Sequence, residues 1–519
     1  MIEENLAEKV DELFKQWDKP DTPGCALAII KDGKIVYKKG YGMADLEHDV
    51  PNTPKTMFHI GSITKQFTVM CILLLVEQNK ISIDDDIRKY LPTFPDYGKT
   101  VTIHHLITHT SGIRDYLGLL RLKDMDFLDM TNLPKNEALS IVFKQKELNF
   151  NPGEEMLYSN SNYLMLGAVI ENITGKTLRE FAEENIFKPL GMENTNYIDD
   201  NKYIIKNRAS GYIPDGKKGY FNAMISHKLP GGIYSNVEDF SLWDLNYHNN
   251  KLGKGGQDLI KTMQTPGKLN NGKQVNYAFG LAIGKYKEQK IILHSGGIGG
   301  FNAIYISFPI YKFSVIILAN LFNLMGELLA YKIADIFLEQ FFKPKQPKIS
   351  VDPNIYQNYM GKYYSDSLGI VSISRKNNDL TIQASLGFPP LKLIAESETS
   401  FFIESPSYRL TFQKDDYSEF ILYDPGNEFR IKRIEPSTLT LKELQGYTGS
   451  YYSEEIDQTY ILRIKKNSLY LANFELVFVE KDKFLIDWGV FRFERDENGN
   501  IEGFRLNAGK VRNLWFKRK

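Results

Sequence analysis

Ser62-Ile63-Thr64-Lys65 is the one place in the chain where a serine stands three residues before a lysine. A serine hydroxyl attacks a carbonyl carbon poorly until a base removes its proton. Residues three apart on a helix share a face, so Lys65 can reach back to Ser62. The run that follows, QFTVMCILLLVEQ, is apolar almost all round and reads as a helix buried inside a domain. Burial favours the neutral amine of a lysine, the form that can accept the Ser62 proton. The helix N-terminus adds a field that favours negative charge on the serine oxygen. The chemistry implied is acyl transfer through a serine ester. The bland alternative is a serine N-cap followed by a surface lysine, and the rest of the chain must decide.

Tyr158-Ser159-Asn160 follows the loop Asn151-Pro152-Gly153-Glu154 and opens an apolar helical run, Leu157–Ile173. A tyrosine beside an ammonium can take a proton and return it. The Asn160 amide can bind a substrate or hold the lysine. Tyr-x-Asn recurs at Tyr220, Tyr247 and Tyr356, where half-buried tyrosines and turn asparagines are the simpler account. His294-Ser295-Gly296-Gly297 ends a strand-like run, IILHSGG. Glycines there permit close approach of a substrate backbone. The N–H groups of Gly297 and Ser62 would together make an oxyanion hole. His59-Ile60-Gly61 also fits His-x-Gly, but it abuts Ser62 and is not expected to form a separate wall. The eight histidines show no ligand spacing. His104 and His105 are adjacent and read as structural. Neither metal nor cofactor is expected.

Several elements must position these groups. Ala26–Ile30 and Lys34–Lys39 flank Lys31-Asp32-Gly33, a hairpin signal. Strands are expected at Tyr277–Ile283, Lys290–His294, Phe301–Phe308 and Phe313–Asn320, the last three as an antiparallel meander, and a closing helix at Glu327–Phe342. A hairpin, then helices, then a meander and a helix make an α/β layer, an antiparallel sheet flanked by helices with an added helical region. That catalytic domain is placed at 1–342. The basic, Pro-bearing segment from Lys343 to Lys348 reads as a linker, placed at 343–350. Beyond it Tyr359-Met-Gly-Lys-Tyr-Tyr-Ser365 is echoed by Tyr447-Thr-Gly-Ser-Tyr-Tyr-Ser453 at a constant offset of 88. Turn signals such as Lys376-Asn377-Asn378, Asp424-Pro425-Gly426-Asn427 and Asn498-Gly499-Asn500 separate short strand-like pieces. Two small antiparallel β-barrels are expected, at 351–438 and 439–519.

With 519 residues the chain is too long for one core. Lys+Arg and Asp+Glu balance at 64 each, so bulk charge suggests neither nucleic acid nor an anionic membrane as partner. The two cysteines, Cys25 and Cys71, sit in apolar segments and read as buried reduced thiols. The N-terminal MIEENLAEKVDELFKQW is an acidic amphipathic helix and lacks the features of a signal peptide. The longest apolar runs are too short to span a bilayer. A cytoplasmic location is therefore expected, with a homodimer left open.

The three elements stand in the order and rough spacing of the serine β-lactamase and penicillin-binding-protein superfamily: S-x-x-K, Y-x-N and K/H-x-G. Leu106-Ile-Thr-His109-Thr110-Ser111-Gly112-Ile113, Phe187-Lys-Pro-Leu190-Gly191-Met192 and Gly231-Gly232-Ile-Tyr-Ser235 also resemble segments of that family. The resemblance covers roughly residues 20–340. His294 stands where β-lactamases carry lysine and resembles the peptidase and esterase branches. The two barrels, lipocalin-like in plan, look like those of D-aminopeptidases. The resemblance implies a two-step acyl transfer. In it Ser62 attacks, Lys65 and Tyr158 handle protons, Asn160 orients the substrate, and His294 borders the oxyanion hole and hydrogen-bonds Tyr158. It implies a D-stereospecific aminopeptidase acting on small peptides, amides or esters. An acid from the second barrel, Asp487 being one candidate, would pair with the substrate amine. The alternatives are an esterase, or a D-Ala-D-Ala carboxypeptidase or β-lactamase, on the same scaffold. A catalytically silent peptide-binding or scaffold protein, or barrels that hold a lipophilic ligand, would be the non-enzyme outcomes.

Overall fold

Uninterrupted apolar runs account for the central sheet. In the computed structural model, which describes residues 3–124, 135–198, 203–217, 219–223, 232–342, 353–366, 368–376, 379–384, 390–403, 408–413, 416–424, 427–435 and 437–519, six antiparallel strands lie side by side. Their order is Ala282–Tyr286, Gln289–Ile298, Phe301–Phe308, Phe313–Ala319, Cys25–Lys31 and Lys34–Tyr41. Asp32 and Gly33 take φ of 50° and 72° in the hairpin that joins the last two, as a tight two-residue turn needs. The middle strands are apolar on both faces because both faces are covered. Ala26, Ala28, Ile316 and Leu318 face the helical core. Leu27, Ile29, Val315 and Ile317 face Val10 and Phe14 of the helix Glu4–Phe14 and Leu329 and Ile333 of the helix Gly326–Leu338.

The helix Lys65–Glu77 runs through the first of these cores, and every residue from Lys65 to Leu75 is buried. Its even apolarity is what a helix enclosed on all sides requires. The helix Asn160–Thr174 packs beside it and ends at Gly175 in a left-handed turn.

Three expected boundaries shift. The helix expected from Leu157 begins at Asn160, with Ser159 still extended at φ −133° and ψ 124°. The closing helix gives way after Leu338 to a tight 3₁₀ turn over Glu339–Phe341. The expected strand Tyr277–Ile283 is a loop up to Leu281, with the strand starting at Ala282. Gly280, at φ 75°, presses against the helix Lys65–Glu77 so closely that a Cβ there would lie 2.9 Å from the Lys65 carbonyl oxygen. That turn breaks the strand and leaves Tyr277 joined to it by a single bridge to Ala282.

Two closed eight-stranded antiparallel barrels follow, spanning Gly361–Arg433 and Gly449–Arg518. In each, the first strand pairs with the last: Tyr363 with Arg433 and Tyr451 with Arg518. The repeat seen in the sequence is structural. The hydroxyl of Tyr363 donates to the carbonyl of Tyr359 at 2.8 Å, and that of Tyr451 to the carbonyl of Tyr447 at 2.9 Å. The expected linker at 343–350, Gly231 and the expected turn residues 377–378 and 425–426 lie outside the described residues. Among the described residues no helix is long and apolar enough to cross a membrane. Cys25 and Cys71 are both buried and free.

Candidate active site

A cleft of about 890 Å³ opens between the sheet edge, the helical region and the second barrel. Ser62, Lys65, Tyr158, Asn160 and Gly297 line it together, although the chain visits them far apart. Ser62 sits in a 3₁₀ turn, Gly61–Thr64, that runs directly into the helix beginning at Lys65. Gly61 has φ 53°, and a Cβ on it would lie 2.8 Å from the Gly297 nitrogen. A Cβ on Gly296 would lie 2.0 Å from the Ile60 carbonyl oxygen and 3.1 Å from the Ser62 nitrogen. These two glycines let the strand Gln289–Ile298 press against the serine turn, so the Ser62 and Gly297 N–H groups are neighbours.

The Lys65 ammonium donates to Ser62 Oγ at 3.0 Å and to Asn160 Oδ1 at 3.0 Å. It is 7% exposed. Burial, and then the nearby charge of Lys510, pull its pKa down to about 7, against the opposing pull of Asp115. A large fraction of the group is therefore neutral at neutral pH, and a neutral amine in this place can accept the serine proton. Asp115 fixes Asn160: its Oδ2 accepts from the Asn160 backbone N–H at 2.6 Å and from Nδ2 at 2.8 Å. A carboxylate only accepts, so the amide must turn its Oδ1 toward Lys65.

Tyr158 packs between two cations, with Lys65 Nζ 4.9 Å and Lys510 Nζ 4.5 Å from its ring centroid. Burial pushes its phenol well above the usual tyrosine range; Ser62 partly offsets this. Its hydroxyl makes no well-formed hydrogen bond among the described residues, despite standing next to Ser62. At neutral pH the phenol keeps its proton, and of the two groups the Lys65 amine is the one with a neutral, proton-accepting form in that range.

His294 is placed differently from expectation. Neither it nor Ser295 nor Gly296 is among the residues lining the cleft; His294 and Gly296 are buried, and Ser295 is exposed. Its Nδ1 faces the Ser295 carbonyl oxygen at 2.6 Å, so that nitrogen carries the proton, and Nε2 accepts from the Tyr277 hydroxyl at 2.9 Å. Tyr277, not Tyr158, is its partner; the Tyr158 and His294 ring centroids are 6.3 Å apart. Burial and the Lys65 charge bring the His294 pKa down to about 3, so the ring stays neutral. His59 does line the cleft, beside Ser62, and its Nδ1 accepts from the Gly61 N–H at 3.0 Å. His105 caps its own helix by accepting from the Thr102 N–H, a structural role.

Three site residues were missed in the sequence: Asp115, Tyr277 and Lys510. Asp115 lies two residues past Ile113, so proximity to that segment was its only signal. Lys510 comes from the second barrel, at the tip of the hairpin joining Ile501–Ala508 to Val511–Arg518. Trp488, Ala508 and Gly509 of the same barrel also line the cleft; Asp487 is exposed and does not. The hairpin is held by the catalytic region. Asn149 Nδ2 donates to the Lys510 carbonyl at 3.0 Å, and the Arg512 N–H donates to Asn149 Oδ1 at 2.7 Å. Beneath it the fully buried Arg114 pairs with Glu455 at 2.6 Å and donates to the carbonyls of Arg512 and Asn513.

A half-buried serine hydrogen-bonded to a buried lysine, beside an antiparallel sheet, is the arrangement of a serine hydrolase. The β-lactamase family model matches residues 7–336, and the chain belongs to that family. Penicillin-binding protein 4* of Bacillus subtilis is 28% identical over 461 residues, covering 82% of this chain and 98% of that protein. D-aminopeptidase of Brucella anthropi is 25% identical over 525 residues, covering 96% of this chain and 95% of its own length. Among solved structures, the octameric penicillin-binding protein homologue from Pyrococcus abyssi superposes with a TM-score of 0.58 at 25% identity, over 82% of this chain and 99% of that one.

Proposed function

We propose that this serine hydrolase is a D-stereospecific peptidase that forms an acyl-enzyme on Ser62 from small D-residue peptides, amides or esters. The observation that carries the reading is the Lys65 amine, buried and 3.0 Å from both Ser62 Oγ and Asn160 Oδ1. Neutral Lys65 takes the Ser62 proton as Oγ bonds to the substrate carbonyl carbon. The Ser62 and Gly297 N–H groups face the oxygen that becomes negative. Tyr158 passes a proton to the leaving nitrogen or oxygen as its bond to carbon breaks, and is reprotonated from Lys65. Water then adds to the ester, loses its proton to Lys65 and releases the acid and Ser62. Full-length similarity to a D-aminopeptidase supports the choice of D-residues.

A second reading, release of a C-terminal residue, is favoured by one observation: the second barrel supplies Lys510 where an aminopeptidase would place an acid. The test is a panel of D- and L-amino-acid amides, N-acylated D-dipeptides and simple esters, on wild type and Ser62→Ala. Turnover by wild type, its loss in the variant, and fluorophosphonate labelling at Ser62 alone are expected. Turnover that survives Ser62→Ala overturns the reading, and preference for L-amides removes the D-specificity.

A further inference from the structure

The cleft carries more positive charge than its own carboxylates use. Asp115 is committed to Asn160 and to the Gly118 N–H. Glu171 is paired with Lys135. Lys510 forms no ion pair with a described residue; its ammonium lies over the Tyr158 ring, and both line the cleft together with Ser62. Its backbone is fixed by Asn149 and by the Asp115 N–H, which approaches the Lys510 carbonyl at 3.4 Å. An ammonium held in a concave site with its countercharge missing repels cations and gains from an anion. A substrate bound at Ser62 brings its nearest groups beside this ring.

We propose that Lys510 is a specificity-determining residue that receives a carboxylate of the peptide substrate and rejects a free amine at the same place. The second barrel would then choose the substrate's charge while the catalytic region performs the chemistry. The effect also reaches Lys65, since its amine is kept neutral in part by the neighbouring positive charge. A bound carboxylate weakens that repulsion, so the complex should lose the Lys65 proton at higher pH than the free enzyme.

The assignment deepens the acyl-transfer reading and rests on it for the position of the scissile bond, so its test needs a measurement free of turnover. The probes are N-acetyl-D-Ala-D-Ala and its C-terminal amide, the same peptide with and without the charge. Binding to full-length Ser62→Ala is measured by calorimetry, alone and combined with Lys510→Gln, Lys510→Arg or Lys510→Glu. The free acid is expected to bind about tenfold tighter than the amide, as a charge-assisted hydrogen bond allows. Lys510→Gln should erase the preference, Lys510→Arg should keep it, and Lys510→Glu should reverse it. The acid-to-amide ratio is read within each variant, so a general loss of affinity does not imitate the effect. An equal or amide-favouring ratio with Lys510 present overturns the proposal, as does a ratio unchanged by Lys510→Gln, or no binding of either peptide. Binding that follows the expected pattern without hydrolysis by the wild type would sink the peptidase reading and leave Lys510 as an anion receptor.

Discussion

The two barrels share a repeat and a strand count, yet they sit in different relations to the chemistry. The first closes on its own core of Tyr359, Tyr363, Phe401, Phe412 and Phe420. The second is continuous with the catalytic core: Tyr460, Phe504, Val511 and Phe516 belong to the same cluster as Ile63, Phe67 and Leu119. Its Tyr460 hydroxyl donates to the Leu122 carbonyl at 2.7 Å, and its Glu455 is buried against Arg114. The first barrel reaches the second through a small patch, Tyr364 and Ile370 against Leu485 and Val490, and through the half-exposed pair Asp366–Arg492. One duplicated unit has become a wall of the cleft; the other is a neighbour of that wall. Sequence similarity between copies therefore says little about which one matters to catalysis. The interface decides.

The contrast can be broken in four places. Glu455→Ala should have the largest effect. It leaves the Arg114 guanidinium buried without its carboxylate, which costs about 3–5 kcal/mol, read as a lower urea midpoint. Because Arg114 precedes Asp115, turnover should fall as well. Asn149→Ala removes two of the hydrogen bonds that hold the Lys510 hairpin, a loss of about 1–3 kcal/mol; a raised KM with a smaller change in kcat is the expected kinetic signature.

The third place is the pH profile. In the proposed mechanism deprotonated Lys65 is the reactive form; burial and Lys510 bring its pKa to about 7, so the rate of Ser62 labelling should climb between about pH 6 and 8. Lys510→Met removes a repelling cation, makes the Lys65 proton harder to lose, and should move that rise to higher pH. Arg409→Met, in the first barrel, should leave it in place; an identical shift for both would erase the distinction. The smallest effect is expected for Asp366→Ala, about 0–1 kcal/mol for a half-exposed pair, with turnover unchanged. A loss of turnover there would show that the first barrel also supports the cleft.

What could be read from the sequence follows the range of the interactions. Ser62 and Lys65 lie on one local turn, and Tyr158 and Asn160 share another, so short motifs expose them. The sheet could be read because its strands are unbroken apolar runs, and the barrels because the Tyr-x-Gly-x-Tyr-Tyr-Ser signature repeats at a fixed offset. Lys510 could not be found this way. It stands among ordinary turn residues, and only the packing of Asn149 and Arg114 against the hairpin carries it to Ser62. The same limit applies to His294. Its motif was visible, but its hydrogen-bond partner depends on a turn at Gly280 that the apolar run Tyr277–Ile283 hid. Asp487 itself is exposed and is not among the residues lining the cleft, whereas its neighbour Trp488 is.

The Lys510 hairpin also orders events during synthesis. A ribosome completes the serine turn early and the hairpin only after several hundred further residues, tens of seconds later. Until then the nascent chain has Ser62 in a cleft with one wall missing and Arg114 without its carboxylate. The finished cleft is thus assembled by a barrel that emerges long after the serine turn.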